Sequence, residues 1–281
     1  MTNTLLVIDT SYLIFFRYHA VRSWITRAKP DVAIDATDDI TTIPEFMETY
    51  RRTFFKTLNK IIKSNNIAIH NVIFARDCPG ADVWRKQIFP AYKENRDYSN
   101  FNGKTIFKWT YDQLLPEMTD RGAKVARFNC IEADDIAAII AMNINDRPIL
   151  MITNDNDYLQ LRANPNVQLL NLKEEDLKTR SIGSPAADAM KKIILGDPSD
   201  NIPKVFKKCG IKTLEKFLSN PQLLEDCLRK DAEANKQYNL NRILVDFKHI
   251  PDVYKMEVME WMKDNLKKIF KERKFIQVEY D

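Results

Sequence analysis

Apolar positions along the chain follow two different periods. Leu5 to Ile8, Asn71 to Ala75, Lys124 to Phe128, Ile149 to Ile152 and Val167 to Leu172 are short runs of strand length, and the first two read as strands buried on both faces. Between them the spacing becomes helical. A helix is predicted from about Tyr12, a second over Pro44 to Lys63 with Phe46, Tyr50, Phe54, Leu58 and Ile61 at helical spacing, and a third over Glu132 to Met142. A polar, acidic stretch from Asp31 to Thr42 separates the first two helices. Strands alternating with helices predict an α/β body, a mainly parallel sheet covered by helices on both faces. After about residue 184 every pattern is helical: Pro185 to Leu195, Thr213 to Ser219, Pro221 to Lys230, Glu233 to Asp246 and Asp252 to Lys274. The expected organisation is therefore an α/β domain over 1–183 and a helical part over 184–281 packed on it, without a tether.

Composition adds little beyond a class. With 44% hydrophobic residues, 29% charged residues and 6 glycines the chain can build a core, and its net charge of +4 is too small to identify a partner. Cys78, Cys130, Cys209 and Cys227 show no paired spacing, so free thiols in a reducing compartment are expected and a zinc site is not. Thr4 to Ile8 runs straight into Asp9, so no signal peptide is expected. The longest uncharged apolar stretch, Ile136 to Met142, is too short to span a bilayer. These features predict a soluble protein of the cytoplasm.

Acids are concentrated where a parallel sheet gathers function, outside the carboxyl ends of its strands. Asp9 follows the first strand, Asp77 the second, and Asp155 with Asp157 follows the fourth. Any one of them reads equally as a helix N-cap or turn residue; three at one sheet edge do not. Glu132, Asp134 and Asp135 open a helix, where acids also suit the helix dipole, and Asp197 and Asp200 lie in a Gly-Asp-Pro-Ser-Asp-Asn segment. Two like charges ~4 Å apart repel by about 4 kcal/mol at an effective dielectric near 20. Such a cluster requires cations, and hard oxygen donors select magnesium or manganese. Two ions ~3.5–4 Å apart suit phosphodiester chemistry. Between the acids lies Trp84-Arg85-Lys86, continuing through Phe89 to Tyr92, Lys93 and Arg96, with Lys104 and Lys108 beyond. Cations interleaved with aromatics suit a channel that follows a nucleic-acid backbone, although the same composition describes a solvated helix face.

Taken together, these motifs resemble the flap-endonuclease or 5′ nuclease family over nearly the whole chain. Leu6-Val-Ile-Asp9-Thr-Ser-Tyr-Leu, continuing to Phe16-Arg17-Tyr18-His19-Ala20, resembles the opening of bacterial polymerase I nuclease domains. The segment from Trp84 to Arg96 is similar to that family's helical arch, here about 82–108. Glu132-Ala-Asp134-Asp135, Asp155-Asn-Asp157 and Gly196-Asp197-Pro-Ser-Asp200-Asn201-Ile-Pro203 resemble its acidic motifs, and Asn241 to Asp252 looks most like the T-even phage ribonuclease H branch.

The resemblance implies a PIN-like catalytic domain, two magnesium ions with manganese as a substitute, and a helical-hairpin motif that binds duplex DNA in the C-terminal part. It also implies 5′→3′ exonuclease and flap endonuclease activity on DNA and RNA–DNA duplexes and removal of RNA primers during replication, in a virus or phage among other settings; replication proteins such as a single-strand-binding protein or clamp are left open as partners, with no clear clamp-binding tail after Lys274. Asp9, Asp77, Glu132 and Asp134 resemble the first-metal set, while Asp135, Asp155, Asp157, Asp197 and Asp200 resemble ligands or supporting groups of either ion. Lys93 and Arg96, with Lys86, match catalytic arch cations; Tyr92 matches a stacking aromatic, and Arg85 a nucleic-acid contact. The segment after Pro203 departs from the pattern. It lacks most of the family's hairpin glycines, which leaves the usual potassium site without its expected support, while Lys204, Lys207, Lys208 and Lys212 supply charge for duplex binding. A PIN-type ribonuclease acting on single-stranded RNA would share the acids but not the arch or the helical half. A catalytically inactive binding factor would have no reason to keep so many mutually repelling carboxylates.

Overall fold

The computed structural model describes residues 3–32, 34–35, 38–96 and 101–266. Residues 97–100 of the expected arch and the stretch after 266, including the end of the last expected helix, lie outside the described residues.

Five strands, β1 (Leu5–Asp9), β2 (Val72–Arg76), β3 (Lys124–Arg127), β4 (Ile149–Ile152) and β5 (Val167–Leu170), form one parallel sheet in the order β3-β2-β1-β4-β5. Strand side chains alternate between faces, and both faces are apolar. Leu6, Ile8, Phe74 and Ile152 pack on α1 (Thr10–Ala28) and α2 (Pro44–Ser64), whereas Val7, Ile73, Ala75 and Met151 pack on α6 (Ala133–Asn143). The runs of the central strands β1, β2 and β4 lack polar alternation because neither face meets water, whereas the edge strands β3 and β5 are partly exposed. β5 stops at Leu170, two residues earlier than its apolar run, because Asn171 turns the chain; its side-chain oxygen accepts from the Lys173 and Glu175 amides.

Between β2 and β3 come α3 (Trp84–Ile88), α4 (Gly103–Trp109), a π turn over Thr110–Leu114 and α5 (Leu115–Asp120). The π turn follows from Pro116, which cannot donate to the carbonyl four residues before it and whose ring crowds that group.

The C-terminal helices are α7 (Pro185–Leu195), α8 (Ile211–Ser219), α9 (Pro221–Lys230), α10 (Ala232–Val245) and α11 (Asp252–Asn265). Ile194, Val205, Leu214, Phe217, Leu224 and Leu228 give them a small core of their own. They are not tethered. Val258 and Met262 of α11 join the cluster beneath α6, and Ile193, Ile202, Leu244 and Val245 pack with Cys78, Val83 and Tyr92 of the body.

Candidate metal centre and nucleic-acid cleft

The chain leaves β1 toward β2 and β3 on one side and places β4 and β5 on the other, so strand order reverses between β1 and β4. Helices diverge at such a point and open a crevice at the carboxyl ends of the strands. A cleft of ≈ 1980 Å³ lies there, and Asp9, Asp77, Glu132, Asp134, Asp155, Asp157 and Asp197 line it. Asp135 and Asp200 sit behind its wall, buried.

Several of these acids are also caps, and the two roles are compatible. Asp9 Oδ1 accepts from the Tyr12 amide at 3.0 Å at the start of α1, while Oδ2 accepts from Thr153 Oγ1 at 3.1 Å. Asp155 Oδ1 accepts from the Asp157 amide and Asp197 Oδ1 from that of Ser199. Asp77 is held at both oxygens, by the Ala133 amide at 2.8 Å and by the Ser11 hydroxyl. A carboxylate oxygen has more than one lone-pair site, so a capping carboxylate can still ligate.

Crowding shows in the proton affinities. Burial, then the charges of Asp77 and Asp155, push Asp9 up to about 7. Burial and Glu132 raise Asp77 against its two hydrogen bonds. Burial and Asp155 lift Asp157 to about 7 despite Lys192. Asp134 is raised well above the usual carboxylate range by burial and by Glu132 and Asp135. Glu132 goes the other way. Burial would raise it, but Lys93 and Arg85 outweigh that and hold it at about 2.

The basic segment divides into inward and outward groups. Arg85 was expected among the nucleic-acid contacts; it is instead 2% exposed and turned into the body. It donates from Nη2 and Nη1 to Asp135 at 2.7 and 2.9 Å, from Nη1 to Glu132 at 3.0 Å, and from Nε to the Leu244 carbonyl at 2.8 Å. Asp135 Oδ2 also accepts from Trp84 Nε1 and from the Glu132 amide, and Asp135 has no exposed surface. Tyr92, expected as a stacking aromatic, is 2% exposed and donates its hydroxyl toward Glu132 and Asp200, each at 3.2 Å. Lys86, Lys93, Arg96 and Lys104 do line the cleft. Lys93 Nζ meets Glu132 Oε1 at 2.5 Å, and Arg96 Nη2 meets Asp200 Oδ1 at 2.8 Å. The turn that carries them is pinned to the second acidic loop: Lys93 N donates to the Asp200 carbonyl, and Asn201 Nδ2 to that of Ala91.

Sequence reasoning missed Lys192. From the end of α7 its ammonium group reaches Asp157, Asp197 at 2.5 Å and Asp200 at 4.0 Å, and it is the main reason Asp197 is lowered against the effect of burial. Its position four residues before Gly196-Asp197 was the available signal. Gly196 itself is obligatory: φ is +72°, and a Cβ there would lie 2.4 Å from the Ile202 carbonyl oxygen.

Lys204, Lys207, Lys208 and Lys212 are exposed on the turn before α8 and on its first residues. Gly210 caps α8 in an extended conformation (φ −135°). It therefore does not supply the left-handed backbone of an amide nest.

The donor set fits a hard divalent cation. Oxygens of Glu132, Asp134 and Asp135 lie within 4.8 Å of one another; Asp135 is buried behind the wall, and Asp134, with Asp9, Asp77 and Glu132, lines the cleft. Two softer groups stand nearby, Cys78 and His19. Burial and Glu132 push the Cys78 thiol up to about 12, and the His19 ring packs against Phe15, Tyr18 and Phe101. Among the described residues no helix is long and apolar enough to cross a membrane.

Known proteins share this architecture. The sequence profile of the 5′-3′ exonuclease N-terminal, resolvase-like domain matches residues 4–186. Ribonuclease H of Enterobacteria phage T4 is 26% identical over 214 residues, covering 68% of this chain and 68% of that protein. A 5′-3′ exonuclease of Halalkalibacterium halodurans is 30% identical over 163 residues, covering 54% of this chain and 52%, about half, of its own length. The phage T5 5′-exonuclease with bound zinc superimposes with a TM-score of 0.61 at 19% identity, over 96% of this chain and 97% of that one. The T5 flap endonuclease, in a pseudo-enzyme-product complex with DNA and metal ions, gives 0.59 at 18% identity over 95% and 99%. At that identity the structural likeness is one of fold.

Proposed function

Because this chain belongs to the family of 5′-3′ exonucleases with a resolvase-like N-terminal domain, we propose that it cuts DNA and RNA–DNA duplexes near 5′ ends and flaps, using two magnesium ions for which manganese can substitute. The observation that carries this reading is the convergence of carboxylates from β1, β2, β4, α6 and the loop after α7 on one cleft whose wall also bears Lys86, Lys93, Arg96 and Lys104. Asp9, Asp77, Glu132 and Asp134 would hold the first ion. Asp155, Asp157, Asp197 and Asp200 would serve the second, on the side of the cleft where Lys192 bonds Asp157 and Asp197. When bound, such ions supply Lewis acidity toward phosphoryl oxygens and a water acidic enough to lose its proton near neutral pH.

The chain's own residues do the rest. Lys93 and Arg96 sit against Glu132 and Asp200, so they can swing from carboxylate to scissile phosphate as charge develops there. Phe15, 46% exposed on the cleft wall and edge-on to Phe101, offers an apolar face on which a base can stack. The exposed lysines before α8 suit the phosphates of the duplex beyond the cut, without a potassium ion. Asp135 and Arg85 act as supports of the first-metal set and not as ligand and nucleic-acid contact. A role in replication or repair, inside a cell or in phage infection and beside a single-strand-binding protein or clamp, accords with such substrates. The test is cleavage of 5′-labelled flap, nicked duplex and RNA–DNA hybrid with magnesium, with manganese and with chelator. Cutting should require the metal, and Asp155→Asn should abolish turnover while leaving DNA binding intact or tighter. Robust cleavage in excess chelator would refute the mechanism.

A further inference from the structure

The wall cations Lys86, Lys93, Arg96 and Lys104 all belong to the connection between β2 and β3. The opposite end of the sheet contributes another. Past β5, Asp176 caps a short 3-10 turn over Leu177–Arg180 by accepting from the Lys178 amide, and the fully buried Leu177 anchors that turn to the body. Arg180 ends the turn, exposed, and lines the cleft. Its guanidinium is held by one residue: Nη1 donates to the Asn154 carbonyl at 3.2 Å and Nη2 to Asn154 Oδ1 at 2.8 Å. The chain beyond it is held as well, since the two Asp188 oxygens accept from the Ser181 hydroxyl and the Ile182 amide. Asn154 immediately precedes Asp155, one of the acids assigned to the second ion.

We propose that Arg180 binds a backbone phosphate of the substrate beside the second-ion loop, as an anchor at the β5 end of the cleft. Charge carries the argument. Lys93 is paired with Glu132, Arg96 with Asp200, and Lys192 with Asp157 and Asp197, so carboxylates already offset those cations. Arg180 bonds only the neutral Asn154, and among the described residues no ion pair offsets its charge. A guanidinium has five N–H donors, of which Asn154 takes two. The three that remain suit the oxygens of a phosphate, which a planar fork can meet two at a time. Asn154 also removes much of the side-chain freedom whose loss would oppose binding. Position then selects the phosphate. Consecutive Cα atoms lie about 3.8 Å apart, and successive phosphates of one strand advance about 3.4 Å along the duplex axis. A group tied to the neighbour of Asp155 therefore meets a phosphate roughly one or two nucleotides from the one at the ions. That phosphate does not react, so Arg180 holds ground state and transition state alike, unlike Lys93 and Arg96.

The inference rests on the cleft being the nucleic-acid site, and the experiment separates the two. Binding of a nicked duplex to the full chain is measured in calcium over a range of salt, for wild type, Arg180→Gln and Arg180→Lys. Arg180→Gln should weaken binding about tenfold and flatten the log–log salt slope by about 0.9. Arg180→Lys keeps the charge, and so the slope, but loses the fork, and should weaken binding about threefold. On saturating flap substrate in magnesium, kcat of Arg180→Gln should stay within about twofold of wild type, as expected when uniform binding is lost. An arginine that only braced the Asn154 loop would behave differently: Arg180→Gln would weaken manganese binding, titrated calorimetrically without nucleic acid, or lower the thermal midpoint in chelator. Both should match wild type. Single uncharged methylphosphonates near the cut locate the contact. At one position, within about two nucleotides of the cut, Arg180→Gln should cause no further loss. Unchanged affinity and slope in Arg180→Gln, a loss additive with every methylphosphonate, or weakened manganese binding overturns the proposal. If wild type binds the duplex and Arg180→Gln binds it equally, only the proposal fails; if wild type does not bind, the reading of the cleft fails and the proposal with it.

Discussion

Replacing Arg85 distinguishes a buried support from a nucleic-acid contact. Arg85→Met keeps much of the side-chain volume and removes a guanidinium that makes two bonds to Asp135, one to Glu132 and one to the Leu244 carbonyl, all from the interior. Asp135, with no exposed surface, then keeps only Trp84 Nε1 and the Glu132 amide as donors. Breaking a buried ion pair from one side costs about 3–5 kcal/mol, because the stranded charge must be desolvated or protonated. That is a large share of the ~5–15 kcal/mol that holds a typical domain together. With a guanidinium m-value on the order of 5 kcal/mol/M for a chain of this size, the unfolding midpoint should fall by about 0.6–1 M. Adding Asp135→Leu to Arg85→Met should restore much of the loss, since it removes the stranded carboxylate. The assay is guanidinium unfolding followed by circular dichroism, in chelator, for both single variants and the double. A loss below ~1 kcal/mol for Arg85→Met, or a double variant no more stable than Arg85→Met, would refute the buried-support reading. So would an undestabilised Arg85→Met whose DNA binding loses about 0.9 of its log–log salt slope, which is what a lost phosphate contact produces.

The other expectations follow from the same geometry. Lys93→Ala and Arg96→Ala should lower kcat, by about 10²–10³ if each meets developing charge, with little change in KM; steady-state kinetics on a flap substrate that showed only a KM effect would detach them from the reacting phosphate. Lys204→Ala and Lys208→Ala should weaken duplex binding and each flatten its salt dependence by about 0.9, read by titration in calcium over a range of salt. The metal-free protein should lose stability as pH rises from about 4 to 7. Asp9 and Asp157 have folded pKa values near 7, above their unfolded values, so the native state holds extra protons that are lost across this window. Glu132, held at about 2, contributes in the opposite sense and only at more acid pH. Thermal midpoints in chelator at pH 5 and pH 8 test the sign, and a higher midpoint at pH 8 would contradict it. Duplex affinity should not change when potassium replaces sodium at fixed ionic strength, because Gly210 is extended; a clear potassium preference would mean that the turn before α8 binds the ion by another route.

Local chemistry made much of this molecule legible in its sequence. Apolar runs of strand length marked β1 to β5, and β4 occupies Ile149–Ile152 with the bounds its run predicts. Proline at the first turn marked α7 and α9, which begin at Pro185 and Pro221. The cleft acids were found because a parallel sheet concentrates function at its carboxyl edge whatever the loops do. Facing was beyond reach. Asp134 and Asp135 are neighbours about 100° apart on one helix, and only the packing of α6 against α3 and α11 turns one to the cleft and the other to Arg85. Arg85 and Lys86 share a basic, aromatic run, yet the five-residue α3, fixed by the burial of Val83 and Trp84, sends one inward and leaves the other on the cleft wall. Lys192 lies in an otherwise ordinary amphipathic helix and gains its role from Asp157, 35 residues away. A side chain's partner across the fold is set by how whole helices rotate and dock, and that rotation is decided by contacts between residues far apart in the chain, which periodicity and composition do not encode.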